Sequence, residues 1–165
     1  MRVLVTGGAG YIGSVIVARL AARGHDVVVY DDLSRGHSAA VPAGVLLVRG
    51  DIRDGGLLRE TLIDAGCDAV VHMAALAEVA ESVAEPERYH SVNVDGTANV
   101  LRAAEATGVR RVIVTSSAAA VGHTRGLKPV DESVRFNYDQ HLTPYGHSKF
   151  LAEAEVYRAI RRGLD

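Results

Sequence analysis

Tyr145 and Lys149 are the residues of this chain whose types and spacing most directly suggest chemistry. Four positions apart on a helix, they share one face. A free tyrosine has a pKa near ~10. An ammonium ~4 Å from its phenolate is worth about 4 kcal/mol at an effective dielectric of 20, or about three pK units before desolvation is subtracted. A tyrosine so placed can act as base or acid near neutrality. Y-x-x-x-K alone also describes many exposed helical pairs, so the context decides. Thr115-Ser116-Ser117 supplies some of it, because these hydroxyls close an apolar run that reads as a strand. The carboxyl end of such a strand is where ligands of open α/β sheets bind. There Ser117 can bond a substrate oxygen and relay a proton, or simply cap the strand end.

A second set of residues points to a dinucleotide. Gly7, Gly10 and Gly13 form G-x-x-G-x-x-G between an apolar run and a helical pattern. Glycine permits a positive φ at the turn and lets the backbone approach a pyrophosphate. The helix that opens at Tyr11, Ile12 and Gly13 offers free N–H groups and the positive end of its dipole. Tyr30-Asp31-Asp32 follows about 20 residues on, where a carboxylate can accept from the adenosine ribose hydroxyls. Asp31 and Asp32 repel a 2′-phosphate, which favours NAD over NADP. Arg35, in the same loop, carries the opposite tendency.

These motifs require particular elements to hold them. Val3–Val5, Val27–Tyr30, Val45–Val48, Ala69–His72 and Val112–Thr115 read as strands buried on both faces. Ile12–Ala22, Leu57–Ala65, Ser91–Thr107 and a last stretch from about Tyr145 to Arg162 read as helices. The alternation predicts an α/β fold, a doubly wound Rossmann-like parallel sheet in the order 3-2-1-4-5. Gly24, Gly66 and Gly108 mark helix ends. Residues 122–144 read as an irregular stretch. Gly163-Leu164-Asp165 reads as the approach to a sixth strand, leaving the fifth at an open edge.

Composition removes several classes of function. The 165 residues are 48% hydrophobic and 23% charged, a globular profile for one domain. A net charge of -2 with no basic stripe gives no attraction to nucleic acid or to anionic membranes. No apolar run approaches a membrane span and no signal peptide is visible, so a cytoplasmic location is expected. The seven histidines lack metal-ligand spacing, and the single Cys67 excludes an internal disulfide.

T-G-G-A-G-Y-I-G-S at 6–14, D-D-L-S-R-G at 31–36, G-D-I-R-D at 50–54, H-M-A-A-L-A-E-V-A-E-S-V at 72–83, N-V-D-G-T at 93–97, T-S-S-A-A at 115–119 and P-Y-G-H-S-K at 144–149 occur in this order. Together they make the chain similar to the UDP-glucose 4-epimerase family, NAD-dependent nucleotide-sugar enzymes of the extended short-chain dehydrogenase/reductase type. The resemblance implies that Asp51 and Ile52 meet the adenine. It implies that Met73, Ala74 and Ala75 line the cofactor trough and that Asn93 lies near the active site. It implies that Ser117, Tyr145 and Lys149 are catalytic, with Tyr145 and Lys149 also touching the cofactor.

A UDP-hexose is then the expected substrate. A homodimer through the 91–107 and 145–162 helices is the expected assembly. Ala77 and Val121 depart from the family pattern, which has Lys and Tyr there. Members are longer, and their further part carries the last strands and most of the nucleotide-sugar pocket. Residues 1–165 are thus expected to be the NAD-binding domain without the substrate domain. The same resemblance leaves open a dehydratase, a reductase, a decarboxylase, or an NAD-binding module without turnover. Dehydratases carry Asp-Glu where this chain has Ala118-Ala119.

Overall fold

The computed structural model describes residues 1–124, 129–139, 141 and 143–165. The expected irregular stretch at 122–144 therefore lies partly outside the described residues. Five parallel strands form one sheet in the order β3-β2-β1-β4-β5, as the alternation predicts. They are β1 (Arg2–Thr6), β2 (Asp26–Asp31), β3 (Leu46–Arg49), β4 (Ala69–His72) and β5 (Arg111–Val114). Register follows the valine pattern, with Val5 beside Val29 and Val71, and Val70 beside Val112.

Side chains alternate between two cores, as the pleat requires. Leu4, Val28, Tyr30 and Val70 face a core completed by Leu58 and Leu62 of helix α2 (Gly55–Ala65) and Val100 and Ala104 of helix α5 (Gly96–Thr107). Val3, Val5, Val27 and Val29 face the other core, which Val17 of helix α1 (Tyr11–Ala22) fills. Helix α6 (Pro144–Arg162) packs on α5. Ile113 of β5 is left 55% exposed on the side of α1. α2 and α5 end at Gly66 (φ 58°) and Gly108 (φ 70°), the left-handed caps expected from sequence.

Two features differ from the sequence reading. Helices α3 (Val79–Ala84) and α4 (Pro86–His90) fill a stretch with no predicted element. The long helix expected from Ser91 begins instead with one wide π turn, Ser91–Asp95, which runs into α5. At the edge of the sheet, Val112 N of β5 donates to Asp165 O at 2.8 Å. No helix among the described residues is long and apolar enough to cross a membrane, and no metal-holding cluster of His, Cys, Asp or Glu occurs among them.

Candidate functional site

A cleft of about 590 Å³ opens along the carboxyl ends of the strands. The glycine turn forms its floor. Gly7 adopts φ 69°, and a Cβ there would stand 2.6 Å from Ala74 N; one at Gly13 would stand 2.0 Å from Gly7 O. Neither position can carry a side chain without opening the turn. Gly10 differs, because a Cβ there would meet only Gly7 O, at 3.3 Å. No side chain caps the start of α1, and its first turn holds no acidic residue. Tyr11 and Ile12 are exposed there. An uncapped helix start beside a glycine is a site for an anionic group. The residues present therefore fit the pyrophosphate of a dinucleotide.

The adenosine end is shaped by β2, β3 and the loops that follow them. Asp31 is buried, and its two oxygens accept from Ala9 N and Leu33 N, each at 2.9 Å. These bonds fix the carboxylate and hold Leu33 at φ 63°, a conformation uncommon for a branched side chain. Asp32 is exposed and accepts from Ser34 N and Oγ at 2.8 and 2.7 Å through one oxygen. Asp51 is bound by Arg53 at 3.0 and 2.5 Å, which holds its carboxyl below the usual range. Tyr30 Oη donates to Asp51 O at 3.0 Å. Asp31, Asp32, Asp51 and Ile52 all line the cleft, together with Tyr30, Arg35 and Gly50.

A chain of buried polar groups supports the middle of the cleft. His72 ends β4 at 3% exposure, and burial together with the nearby Lys149 charge pushes its pKa down to about 3. The ring is therefore neutral. Thr97 Oγ1 gives its hydrogen to Asn93 O at 2.6 Å, so it must accept from His72 Nε2–H at 2.9 Å. Nδ1 is then the acceptor, and Thr6 Oγ1 donates to it at 2.7 Å. Thr6 Oγ1 in turn accepts from Ala74 N at 3.4 Å. Asn93 continues the path. Its Oδ1 accepts from Leu76 N at 2.8 Å, and its Nδ2 donates to Leu76 O and to Ser148 Oγ, each at 3.0 Å. Ser148 Oγ donates to Tyr145 O at 2.7 Å.

Met73, Ala74, Ala75 and Leu76 line the cleft on top of this network. Asn93 does not. It is 1% exposed and ties the loop after β4 to α6, which the wide turn at Ser91–Asp95 makes geometrically available.

Tyr145 and Lys149 reach the cleft from the first turns of α6. The half-buried Tyr145 ring meets the fully buried Tyr89 ring edge to face, 6.5 Å between centroids at 89°. Lys149 is 8% exposed and donates from Nζ to Thr115 O at 2.8 Å. Burial lowers its pKa, with Glu153 acting in the opposite direction. Ser117 stands outside the cleft lining, and its Oγ accepts from Ala119 N at 3.2 Å, capping the short turn Ala118–Ala120. Of the two adjacent serines it is Ser116 that lines the cleft, and its hydroxyl bonds Glu153. Sequence reasoning passed over Ser116, Glu153 and Tyr89. For Ser116 a signal existed in the adjacent hydroxyls at the strand end, but nothing local chooses between them.

Comparisons with known proteins agree with this geometry. Residues 3–164 match the model of the NAD dependent epimerase/dehydratase family. A UDP-glucose 4-epimerase of Streptomyces lividans is 42% identical over 153 residues, 92% of this chain and 45% of the relative. The crystal structure of UDP-glucose 4-epimerase from Brucella ovis in complex with NAD superposes with a TM-score of 0.89 at 42% identity, covering 99% of this chain and 49% of that one. The enzyme from Thermotoga maritima with UDP-glucose gives 0.91 at 32% identity, covering 99% and 53%. The chain thus spans about half the length of the relatives it matches. Sheet order, cleft and a sequence match running from β1 to the end of α6 converge, and the chain belongs to the NAD dependent epimerase/dehydratase family.

Proposed function

We propose that this chain provides the NAD site and the proton-handling groups of a nucleotide-sugar 4-epimerase acting on UDP-glucose and UDP-galactose. The observation that carries the reading is that Tyr145 and Lys149 line the same cleft as the glycine turn and Asp31. Its sugar specificity is argued from the relatives, which are UDP-glucose 4-epimerases. Residues 1–165 act as the cofactor-binding domain. The residues that would hold the uridine nucleotide correspond to the part of the relatives that this chain does not cover.

In this reading Gly7, Gly10 and the start of α1 hold the pyrophosphate. Asp31 and Asp32 take the ribose hydroxyls, and Asp51 and Ile52 flank the adenine. When bound, NAD supplies reversible hydride acceptance from the sugar C4. Tyr145 Oη takes the proton of the sugar 4-hydroxyl and returns it once the 4-keto sugar has turned over. Lys149, buried against Thr115 O, keeps a positive charge one helical turn from that tyrosine. Ser117 serves the sugar oxygen after turning away from Ala119 N. Elimination would need a further acid and base beside Ser117, and the turn Ala118–Ala120 holds no ionisable group. That favours epimerisation over dehydration.

The test is to incubate the chain with UDP-galactose and NAD, follow UDP-glucose by NMR, and run Tyr145→Phe beside it. NAD should bind. Turnover should fall well below the ~10 per second of an ordinary enzyme, because binding energy from the remote nucleotide positions the reacting sugar. The residual turnover should vanish in Tyr145→Phe. Absence of NAD binding, or turnover indifferent to that substitution, would refute the reading.

A further inference from the structure

The loop after β2 places a cation at the adenosine end of the cleft. Arg35 lines the cleft with Asp31 and Asp32. Its neighbour Gly36 packs so closely on the glycine turn that a Cβ there would stand 2.8 Å from the Ala9 carbonyl carbon, and His37 N donates to Ala9 O at 3.0 Å. The backbone carrying Arg35 is thereby fixed beside the cofactor turn. A guanidinium in that place is what the 2′-phosphate of NADP requires. Yet this one is already engaged. Its Nη2 pairs with Oε1 of Glu81 on α3, which is 46 residues away in the chain.

Glu81 is anchored independently of Arg35. Its Oε2 lies 2.9 Å from the hydroxyl of the fully buried Tyr89, whose one hydrogen it shares with Glu78 O at 2.7 Å, and Arg88 approaches Oε1 at 3.2 Å. The Tyr89 bond first, then the two guanidiniums, hold its carboxyl below the usual range against the opposing effect of burial. An ionised partner with its own anchor does not follow Arg35 when Arg35 turns. Arg35 bonds Glu81 through Nη2, so its charge is already matched by a carboxylate before any phosphate arrives.

Resting on the proposed NAD site, we infer that Glu81 is a specificity-determining residue of that site. It holds Arg35 in an ion pair across the cleft mouth and so denies the 2′-phosphate of NADP the cation of that loop. This adds to the direct repulsion by Asp31 and Asp32. The carboxylate beside the ribose excludes the phosphate, and the carboxylate on α3 removes the charge that would otherwise offset the exclusion. Glu81 thus acts on the cofactor through Arg35, as a positioning residue.

Calorimetry with NAD and NADP on the wild-type chain, on E81Q and on E81Q/R35A tests this. E81Q should lower the ratio Kd(NADP)/Kd(NAD) about tenfold, the worth of one freed charge-assisted contact. The double variant should return the ratio to that of the wild type, because Arg35 carries the effect. Should E81Q lose its fold by releasing Tyr89, E81L/Y89F leaves no orphaned hydroxyl and should show the same shift. A ratio unmoved in the folded Glu81 variant, or a shift that persists without Arg35, overturns the inference while NAD binding stands. A wild-type chain that binds neither nucleotide overturns the proposed function and this inference with it.

Discussion

Replacing His72 with leucine should change how stability depends on acid. In the folded chain the imidazole sits between Thr6 and Thr97 at 3% exposure, with its pKa pushed down from 6.5 to about 3. The folded value lies below the unfolded one, so unfolding takes up a proton below pH 6.5. The stability this group permits is complete above about pH 6.5 and is lost as the pH falls toward 3. The slope is about 1.4 kcal/mol per pH unit. Wild-type protein should therefore lose roughly 2–3 kcal/mol through His72 alone between about pH 6.5 and 4.5, a large share of the ~5–15 kcal/mol typical of a domain. His72→Leu removes that titration. It also leaves the Thr6 hydroxyl without its acceptor, which costs roughly 1–3 kcal/mol at neutral pH. The variant should be weaker than wild type near pH 8 and draw level near pH 5. Urea unfolding of both proteins across that range measures the difference. Two curves that stay parallel would refute the neutral, doubly bonded imidazole. Nitrogen NMR gives an independent reading, since the ring should remain the Nε2–H tautomer at about pH 5.

The glycine turn separates folding from binding. Gly10→Ala adds a Cβ that meets only Gly7 O, at 3.3 Å, so thermal stability should hold while NAD affinity measured by calorimetry drops at least about tenfold. Gly13→Ala drives its Cβ to 2.0 Å from Gly7 O and should lose both binding and several degrees of Tm. Lys149→Met removes a buried charge whose pKa burial has lowered, a group that destabilises the fold in its charged form. Thermal unfolding at neutral pH should show an equal or higher Tm, with turnover abolished. Tyr157 and Ile160 lie more than half exposed on α6, so light scattering should show self-association that Ile160→Glu weakens; a clean monomer at high concentration for the wild type would contradict this.

The parts of the fold legible in the sequence are those decided by local physics. Runs of valine with polar ends give β1, β2 and β4, and their burial on both faces requires the helices between them. The glycine turn and the helix-ending glycines are legible because only a residue without a Cβ takes those conformations cheaply. The expectation of one helix from Ser91 to Thr107 missed the wide turn at its start. The four- and three-residue spacing of Val94, Ala98 and Leu101 reads the same through a π turn, since one inserted residue hardly disturbs so short a pattern. α3 and α4 are too short to show a period, and Pro86 divides them. Ser116 and Ser117 differ only in which way the chain turns after β5, and the packing of α6 on that turn decides it.

The cleft therefore has two kinds of origin. The turn Gly7–Gly13 in its cofactor floor is set by local conformation, through glycines that alone fit it, and Asp31 fastens to it through Ala9 N. The position of Tyr145 has no such local source. It depends on Ser148 meeting Asn93, on Tyr145 N donating to Ser82 Oγ at 3.2 Å, and on the Tyr89 ring, whose hydroxyl is held by Glu78 O at 2.7 Å and by Glu81. Each of these contacts joins α6 to the segment 76–93, which lies far from it in sequence. Buried polar contacts of this kind cost little when complete and much when one partner is missing. Damage to the 76–93 segment should therefore reach the tyrosine before it reaches the glycine turn. A chain can keep its nucleotide site while losing the alignment of its proton-transfer group, because the two are held by bonds that share few residues.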